Sequence, residues 1–324
     1  MFRARKVLTL TVCLVAGLMA GRESSVHAAD AEQGPKASQY PDVVEEGSSA
    51  SSVRKAAIAG LPLNQLTEPQ SKRVNQILNN ISYFRRLPTL CFTVEPEVYR
   101  FFTAYPDVAV SVWRAMGISK VQMWQTGKNE YEADAGDGST GVLEVLYRSE
   151  QMNLVVCDGI YKSPILKRSI QAKSLVLLQT QFVQEKDGRI RVTHRADLFV
   201  SFPSQTMDAV ARILSPLTTS LTDSTFTEIS LFLKMMSVAM VRRPDWVESV
   251  IEKMDGVPEL RRGQILKLTA QVYSTAQLRE IAKMNKLAQA QEEKNNPGSS
   301  TGQRPAATIE QRPATASRQT GQRN

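Results

Sequence analysis

The hydrophobic period of this chain changes to two between Ile118 and Phe202, and this change constrains the fold more than any other feature. Alternating apolar and polar residues are typical of strands with one buried face. Asp-Gly pairs interrupt the alternation at Asp137-Gly138, Asp158-Gly159 and Asp187-Gly188. Such pairs are strong signals for tight hairpin turns. The segment therefore predicts an antiparallel meander, whose clearest hairpin lies at Asp187-Gly188.

Helical patterns flank the predicted sheet. Before it, a strand at Thr89–Val94 leads into two short helices that begin at Glu95-Pro96-Glu97 and at Asp107, and proline suits a first helical turn. After it, Ile229–Val241 is apolar nearly all round, which is typical of a buried helix. The narrow polar stripe on this helix consists of Ser230, Lys234 and Ser237. We expect the stripe to face solvent. The predicted fold class is α+β, an antiparallel sheet wrapped around a buried C-terminal helix.

The N-terminus has the layout of a secretory signal peptide. A short basic region precedes the apolar run Val7–Gly21, and Val26-His27-Ala28 matches a cleavage site before Ala29. We therefore predict a cleaved signal peptide over residues 1–28 and a secreted or periplasmic protein. No later apolar run reaches the length of about 20 residues that a membrane span needs, so we expect no transmembrane segment after cleavage.

Two further segments contain too few large apolar residues to offset the entropy of ordering. They are residues 29–60, predicted to be a disordered linker, and residues 291–324, predicted to be a disordered basic tail with a repeated Gln-Arg-Pro-Ala sequence. Between them, an α+β domain is predicted over 61–241 and a helical extension over 242–290.

The amount and distribution of positive charge do not favour a nucleic-acid partner. The net charge is +8, and the signal segment carries four basic residues and one acidic residue, which leaves +5 after cleavage. The longest basic runs in the mature chain are pairs such as Arg85-Arg86 and Arg261-Arg262, and they are not interleaved with aromatic residues as a nucleic-acid surface would be. The basic tail remains a candidate for contact with an anionic surface.

Catalytic and metal-binding motifs are absent from the sequence. The mature chain has one histidine, His194, and contains no His-Glu-x-x-His, Cys-x-x-Cys or Gly-x-Ser-x-Gly pattern. We therefore predict no metal, no cofactor and no catalytic residue. His194 falls on the apolar face of its strand, which favours an interior or ligand-lining role. The carboxylates available for acid–base chemistry are Glu144, Asp158 and Asp197. Asp158 is assigned to a turn, and Asp197 is expected to pair with charged neighbours.

The two mature cysteines, Cys91 and Cys157, lie in apolar, strand-like contexts. We favour two separately buried thiols over a disulfide, although the spacing leaves the pairing open.

Aromatic and sulfur-containing residues recur on the predicted strands and on the buried helix, where such side chains make adaptable apolar linings. An ordinary core would have the same composition. If a ligand cavity exists, its candidate lining is Trp124, Tyr147, Tyr161, His194, Phe226, Met235 and Met236.

The order of elements from Leu87 to Val241 resembles the START-like, or helix-grip, fold. The resemblance depends on Glu95-Pro96-Glu97, Tyr105-Pro106-Asp107, the hairpin at Asp187-Gly188 and the helix from Thr225 to Met240. It implies a curved sheet around a C-terminal helix, with an apolar cavity between them.

The resemblance also implies function, since most members of that family bind lipids or other hydrophobic ligands, and some are cyclases or hydrolases. The leading hypothesis is an exported, non-catalytic protein that binds a hydrophobic small molecule or lipid. The alternatives are a structural or interaction protein of the cell envelope with a filled core, and a hydrolase or cyclase that uses the same cavity.

Overall fold

The computed structural model describes residues 40–162, 169–186, 188–203 and 217–295. The predicted α+β class is confirmed, with nine strands in one antiparallel sheet and seven α-helices in the described part of the chain. The strands are β1 (Asp42–Glu45), β2 (Tyr83–Arg86), β3 (Thr89–Thr93), β4 (Gln122–Gln125), β5 (Glu130–Asp134), β6 (Ser139–Arg148), β7 (Met152–Tyr161), β8 (Ile170–Gln184) and β9 (Ile190–Ser201). The helices are α1 (Ser51–Ala59), α2 (Glu68–Leu78), α3 (Pro96–Ala104), α4 (Pro106–Ala115), α5 (Leu217–Arg242), α6 (Pro244–Glu252) and α7 (Glu259–Asn295). The predicted signal peptide, the first part of the predicted linker and most of the predicted tail lie outside the described residues.

The sheet follows the order β1-β3-β9-β8-β7-β6-β5-β4, and β2 pairs with a second stretch of β9. Strands β4 to β9 are antiparallel neighbours in chain order, as the alternating pattern predicts. The turn between β8 and β9 contains Gly188 at φ +85°, while Asp187 lies outside the described residues. One turn prediction is wrong. Asp158 and Gly159 lie inside β7 and pair with β6 and β8 on either side, because burial between two neighbouring strands overrides the local turn signal.

The inner face of the sheet, which carries Val192, Ala196 and Leu198 of β9, forms the larger hydrophobic core. Helices α3, α4, α5 and α6 cover this face together with the first turns of α7, which contribute Ile265 and Leu268. The two short helices α3 and α4 begin at prolines, as the sequence predicts.

The outer face of the sheet forms a second, separate core. It contains Leu175, Leu177 and Phe199 from the strands, packed against Val74 and Ile77 of α2. Helix α2 begins with a capping box between Thr67 and Gln70, which satisfies backbone groups at its first turn.

The described part of the predicted linker, residues 40–60, differs from the expectation of disorder. Strand β1 pairs with β3, and Ala57 of α1 is buried in the outer core. The composition of this segment cannot support a core of its own, but sheet pairing and the apolar surface of α2 and the strands supply its partners. Local composition does not reveal such distant partners.

Helix α5 is buried as predicted, but two of the three residues of its expected solvent-facing stripe lie in the interior, while Lys234 is half-buried. Ser230 and Ser237, which the sequence assigns to a solvent-facing stripe, are 0% and 3% exposed, whereas Met235 is 52% exposed. The two serines lie inside because each has a hydrogen-bond partner in the interior. The helix also begins at Leu217, eight residues before the predicted start at Thr225, whose hydroxyl donates to the carbonyl of Leu221 at 2.8 Å.

Within the described residues, one stretch, Thr219–Arg242 of α5, is long and apolar enough to cross a membrane by length and composition. The same properties suit a helix packed in a protein core. Its apolar side chains Phe226, Phe232, Leu233, Met236 and Met240 are buried against the sheet and the other helices.

The chain divides into two compact units, Met1–Ala276 and Gln277–Asn324. The first unit extends past the predicted boundary at residue 241, because Val247, Ile251 and Ile265 belong to the inner core. In the second unit, the described residues are the last turns of α7, with exposed apolar side chains at Leu278, Ile281, Met284 and Leu287.

Candidate functional site

A cavity of about 180 Å³ lies between the inner face of the sheet and helices α3, α4 and α5. Its lining is almost entirely apolar. The lining residues are Leu87, Tyr99, Phe102, Thr103, Pro106, Ala109, Val110, Trp113, Met123, Tyr131, Leu143, Val145, Arg148, Asn153, Val155, Val176, Leu178, His194, Ala196, Leu198, Phe226, Ile229, Phe232 and Leu233. A space bounded by such side chains favours an apolar occupant over water, because water needs two to four polar partners.

The cavity reaches the surface at Arg148, which is exposed, with half-buried Thr103, Pro106 and Asn153 beside it. Arg148 Nε donates to Asn153 Oδ1 at 3.0 Å, and Nη2 contacts the carbonyl of Ala104 at 3.4 Å. We call these four residues the mouth. They come from α3, α4 and the paired ends of β6 and β7.

A β-bulge in β6 decides which side chains enter the cavity. The register with β7 shifts between Val145 and Tyr147. Strict alternation would place Val145 and Tyr147 on the same face, but the extra residue moves Tyr147 to the outer face, where it packs against the outer core. The bulge brings Arg148 to the inner face instead. A shift of one residue reverses the facing of every side chain that follows it.

His194 lies at the centre of a buried hydrogen-bond network at one wall of the cavity. Tyr99 Oη lies 2.9 Å from His194 Nδ1 and 2.9 Å from Thr180 Oγ1, and His194 Nε2 lies 2.8 Å from Ser230 Oγ. Ser230 Oγ donates to the carbonyl of Phe226 at 2.7 Å.

The bond from Ser230 to the Phe226 carbonyl fixes the direction of the network. Because the serine proton is used there, we assign Nε2–H of His194 as the donor to Ser230 Oγ. Nδ1 then accepts the hydroxyl proton of Tyr99, and Thr180 donates to the Tyr99 oxygen. With a neutral imidazole, both ring nitrogens of His194 and the hydroxyls of Tyr99, Thr180 and Ser230 have hydrogen-bond partners in this network.

Burial lowers the pKa of His194 to about 3, since the charged imidazolium would lose its hydration. A general base at neutral pH needs a pKa closer to 7 and a proton to accept from its nucleophile. His194 meets neither condition, because it donates to Ser230 and Ser230 donates to the backbone. The arrangement is suited to packing and ligand lining rather than to activating a nucleophile.

The carboxylates considered for acid–base chemistry are in ion pairs. Arg73 binds Glu144 and, at 2.6 Å, Asp158, which ties α2 to the outer face of the sheet. Arg86 binds both oxygens of Asp197 at 2.7 and 2.9 Å, so the prediction that Asp197 pairs with a charged neighbour is confirmed. None of these three carboxylates lines the cavity.

The structure brings two of the seven predicted lining residues, His194 and Phe226, to the cavity, where their rings stack with centroids 4.7 Å apart. Met236 and Tyr161 are buried in the inner core without lining the cavity.

Three predicted lining residues lie elsewhere. Tyr147 is on the outer face because of the bulge. Trp124 is 37% exposed on β4, and Met235 is on the solvent-facing side of α5. The errors at Trp124 and Met235 have the same physical cause: the pattern of residue types does not show which face of a strand or helix turns inward.

Sequence reasoning missed Tyr99, Trp113 and Arg148. Tyr99 and Trp113 belong to the predicted helices before the sheet, and their apolar spacing could have suggested inward-facing positions. Arg148 had no such signal, because its place depends on the bulge. Trp113 Nε1 is buried without a hydrogen-bond partner among the described residues.

Cys91 and Cys157 are free. Cys91 pairs in register with Thr193 on the outer face, whereas Cys157 belongs to the inner core. The sheet separates the two thiols, which confirms that they are unpaired, but of the two only Cys157 is buried and Cys91 is half-buried. Burial raises the pKa of Cys157 to about 12, so its thiol stays protonated.

A second, more open depression of about 430 Å³ includes polar side chains of β8 and β9, among them Gln179, Gln181, Thr193 and Arg195. His194 and Thr180 border this depression too. The described residues contain no group of three or more His, Cys, Asp or Glu side chains that could hold a metal ion.

No protein-family profile matches the chain, and no curated protein sequence matches it. Among solved structures, the chain is similar to a conserved protein from Geobacillus kaustophilus, at 12% identity and a TM-score of 0.32, over 47% of this chain and 93% of that one. It is also similar to DynU16 of the dynemicin biosynthetic locus, at 12% identity and a TM-score of 0.25. That match covers 54% of this chain and about half, 51%, of DynU16.

Proposed function

We propose that this protein is a non-catalytic binding protein that holds a small hydrophobic molecule in the cavity between its sheet and helix α5. The observation that carries the proposal is a space of about 180 Å³ enclosed almost wholly by apolar side chains. Well-packed protein interiors contain few voids larger than a water molecule. An apolar cavity of this size, bounded by three helices and a sheet and open at one mouth, is a feature that ligand binding would explain.

The size of the cavity limits the ligand. Apolar cavities of about 150 Å³ bind benzene, whereas sites for drug-sized ligands measure about 300–1,000 Å³. The apolar part of the ligand is therefore about as large as one aromatic ring or a short aliphatic chain. A two-chain lipid would not fit without rearrangement of the helices. The helix-grip resemblance supports the same proposal, since a sheet around a C-terminal helix is the arrangement in which that family holds its ligands.

The chemistry of the lining favours binding over hydrolysis. His194 is neutral with both ring nitrogens in hydrogen bonds, and the carboxylates weighed as catalysts are in ion pairs away from the cavity. Export by the predicted signal peptide is part of the proposal and would place the binding protein outside the cytoplasm.

The test combines ligand identification with a variant that fills the cavity. Native mass spectrometry of gently purified protein would detect a bound small molecule, and thermal-shift titration with toluene and 1-hexanol would detect occupancy. Ala196 lines the cavity from β9, so Ala196→Leu adds three heavy atoms to the space. We expect the wild-type protein to bind both probes and Ala196→Leu to lose most of that binding while remaining folded.

The matched control is Ala282→Leu, which makes the same change at an exposed position of α7 and should leave probe binding unchanged. If purified wild-type protein carries no ligand and neither probe shifts its melting temperature, the proposed function is wrong.

A further inference from the structure

The mouth of the cavity contains one cationic side chain, and its position is set by the bulge in β6. Arg148 pairs in register with Asn153 at the end of the β6–β7 ladder. Both residues line the cavity. The other ionisable residues in the lining are Tyr99, Tyr131 and His194, and burial keeps the two phenols protonated and the imidazole neutral at neutral pH.

No carboxylate of the described residues forms a salt bridge with Arg148; the buried Asp107 acts on the same side chain, Tyr131, whose pKa Asp107 raises and Arg148 lowers. Its hydrogen-bond partners are the amide oxygen of Asn153 at 3.0 Å and, more weakly, the carbonyl of Ala104 at 3.4 Å. By contrast, the arginines that tie elements together, Arg73, Arg85 and Arg86, each bind a carboxylate. A guanidinium has five N–H donors in a planar fork, so most of the donors of Arg148 remain available.

From these observations we infer that the ligand is a small amphipathic carboxylate, whose apolar part fills the cavity and whose carboxylate binds Arg148 at the mouth. This inference rests on the proposed function. The planar guanidinium fork matches a carboxylate with two parallel hydrogen bonds. One arginine beside a neutral amide balances one negative charge, which favours a carboxylate over a phosphate monoester with about two charges.

The experiment compares hexanoate with 1-hexanol, which have the same chain but differ in charge, by isothermal titration of the full chain. Hydrogen bonds to charged groups contribute about 1.5–3 kcal/mol, which corresponds to roughly tenfold or more in affinity. We expect hexanoate to bind at least about tenfold more tightly than 1-hexanol, and this preference to weaken as salt is added.

Arg148→Gln removes the charge and keeps a hydrogen-bonding side chain. We expect this variant to lose about tenfold in hexanoate affinity and to bind 1-hexanol as the wild type does. Arg189→Gln is the matched control, since it removes the same charge from the exposed β8–β9 hairpin. It should change neither affinity.

The outcomes separate the inference from the proposed function. If both probes bind the wild type equally and Arg148→Gln changes neither affinity, the carboxylate inference is wrong and the binding function stands. If Arg148→Gln weakens 1-hexanol as much as hexanoate, Arg148 acts only on the shape of the cavity, and the inference is also wrong. If neither probe binds, the proposed function itself fails.

Hexadecanoate distinguishes the source of the carboxylate. If it binds more tightly than hexanoate and depends on Arg148, the ligand is a lipid-derived fatty acid. If it binds more weakly, as the cavity volume leads us to expect, the ligand is a short free carboxylate.

Discussion

At the scale of single residues, the most informative side chain is His194. It is neutral in the folded protein because burial lowers its pKa to about 3, and an unfolded chain would restore the ordinary value of about 6.5. Between these two values the unfolded state binds a proton that the folded state does not. The contribution of His194 to stability is therefore complete above about pH 6.5 and is lost progressively as the pH falls to about 3.

This linkage can be measured with His194→Gln, which keeps a donor toward Ser230 and cannot titrate. Between pH 6 and pH 4, we expect the free energy of unfolding of the wild type to fall relative to the variant by about 1.4 kcal/mol per pH unit. Urea denaturation at a series of pH values gives both curves. Parallel curves for the two proteins would show that His194 titrates normally in the folded state, which would contradict the neutral network.

Part of this site was predictable from sequence. The position of His194 on an apolar strand face correctly indicates an interior residue. Its partners Tyr99 and Ser230 could not be identified, because they lie 95 and 36 residues away in the chain. Spacing within one element gives no information about contacts between elements.

At the scale of elements, helix α5 shows why burial was predictable and orientation was not. The apolar composition of Ile229–Val241 correctly predicts a core helix, since few solvent-facing helices are so apolar. With apolar residues nearly all round, however, the pattern contains no clear polar face. The two serines lie inside because they satisfy groups in the interior, and Met235 lies outside.

Two adjacent methionines test this orientation. Met236 is 2% exposed and Met235 is 52% exposed. We expect Met236→Ala to lower the free energy of unfolding by about 2–5 kcal/mol, because it leaves a cavity in the core. Met235→Ala should change it by less than about 0.5 kcal/mol. Chemical denaturation gives the free energy of unfolding of both variants. Equal losses would mean that helix α5 is rotated relative to the orientation in the structure.

Ser237 provides a separate test at the junction of α5 and α3. Its hydroxyl oxygen accepts the backbone N–H of Glu95 at 2.8 Å, just before the first turn of α3. Ser237→Ala removes this acceptor from a partly buried N–H, so we expect a loss of about 1 kcal/mol. Ser224→Ala, on an exposed position of the same helix, serves as the control and should be nearly neutral. A neutral Ser237→Ala would show that this hydrogen bond does not form in solution.

At the scale of the whole molecule, the sequence predicts the class and the meander but misplaces the limits of the main unit. Both ends of the unit extend further than composition suggests, through β1 and α1 at one end and through α6 and the start of α7 at the other. These segments are short or weakly apolar, and they gain stability from partners distant in the chain. A prediction of disorder from the composition of one segment does not take such distant partners into account.

Truncation locates the C-terminal limit of the main unit. Ile265, Leu268 and Val272 of α7 belong to the inner core, whereas the second compact unit begins at Gln277. A chain that ends at Ala276 should keep its melting temperature within a few degrees. A chain that ends at Val257 loses these three buried apolar side chains, each contributing about 1.5–3 kcal/mol, and should be severely destabilised. Circular dichroism melts of the two chains give the answer, and equal melting temperatures would contradict the assignment of these residues to the core.

The two cores on opposite faces of the sheet have a consequence for how this protein tolerates an empty interior. In an enclosed core a void costs about 24 cal/mol per Å³, so on the order of 4 kcal/mol is an upper bound for a space of about 180 Å³ that opens at its mouth. That is a large fraction of the stability of an ordinary domain. Here the outer face of the sheet is covered by a separate packed core, which supports the strands on the side opposite the cavity. Because the strands that line the cavity are supported from their other face, occupation of the cavity by a ligand need not disturb the outer core.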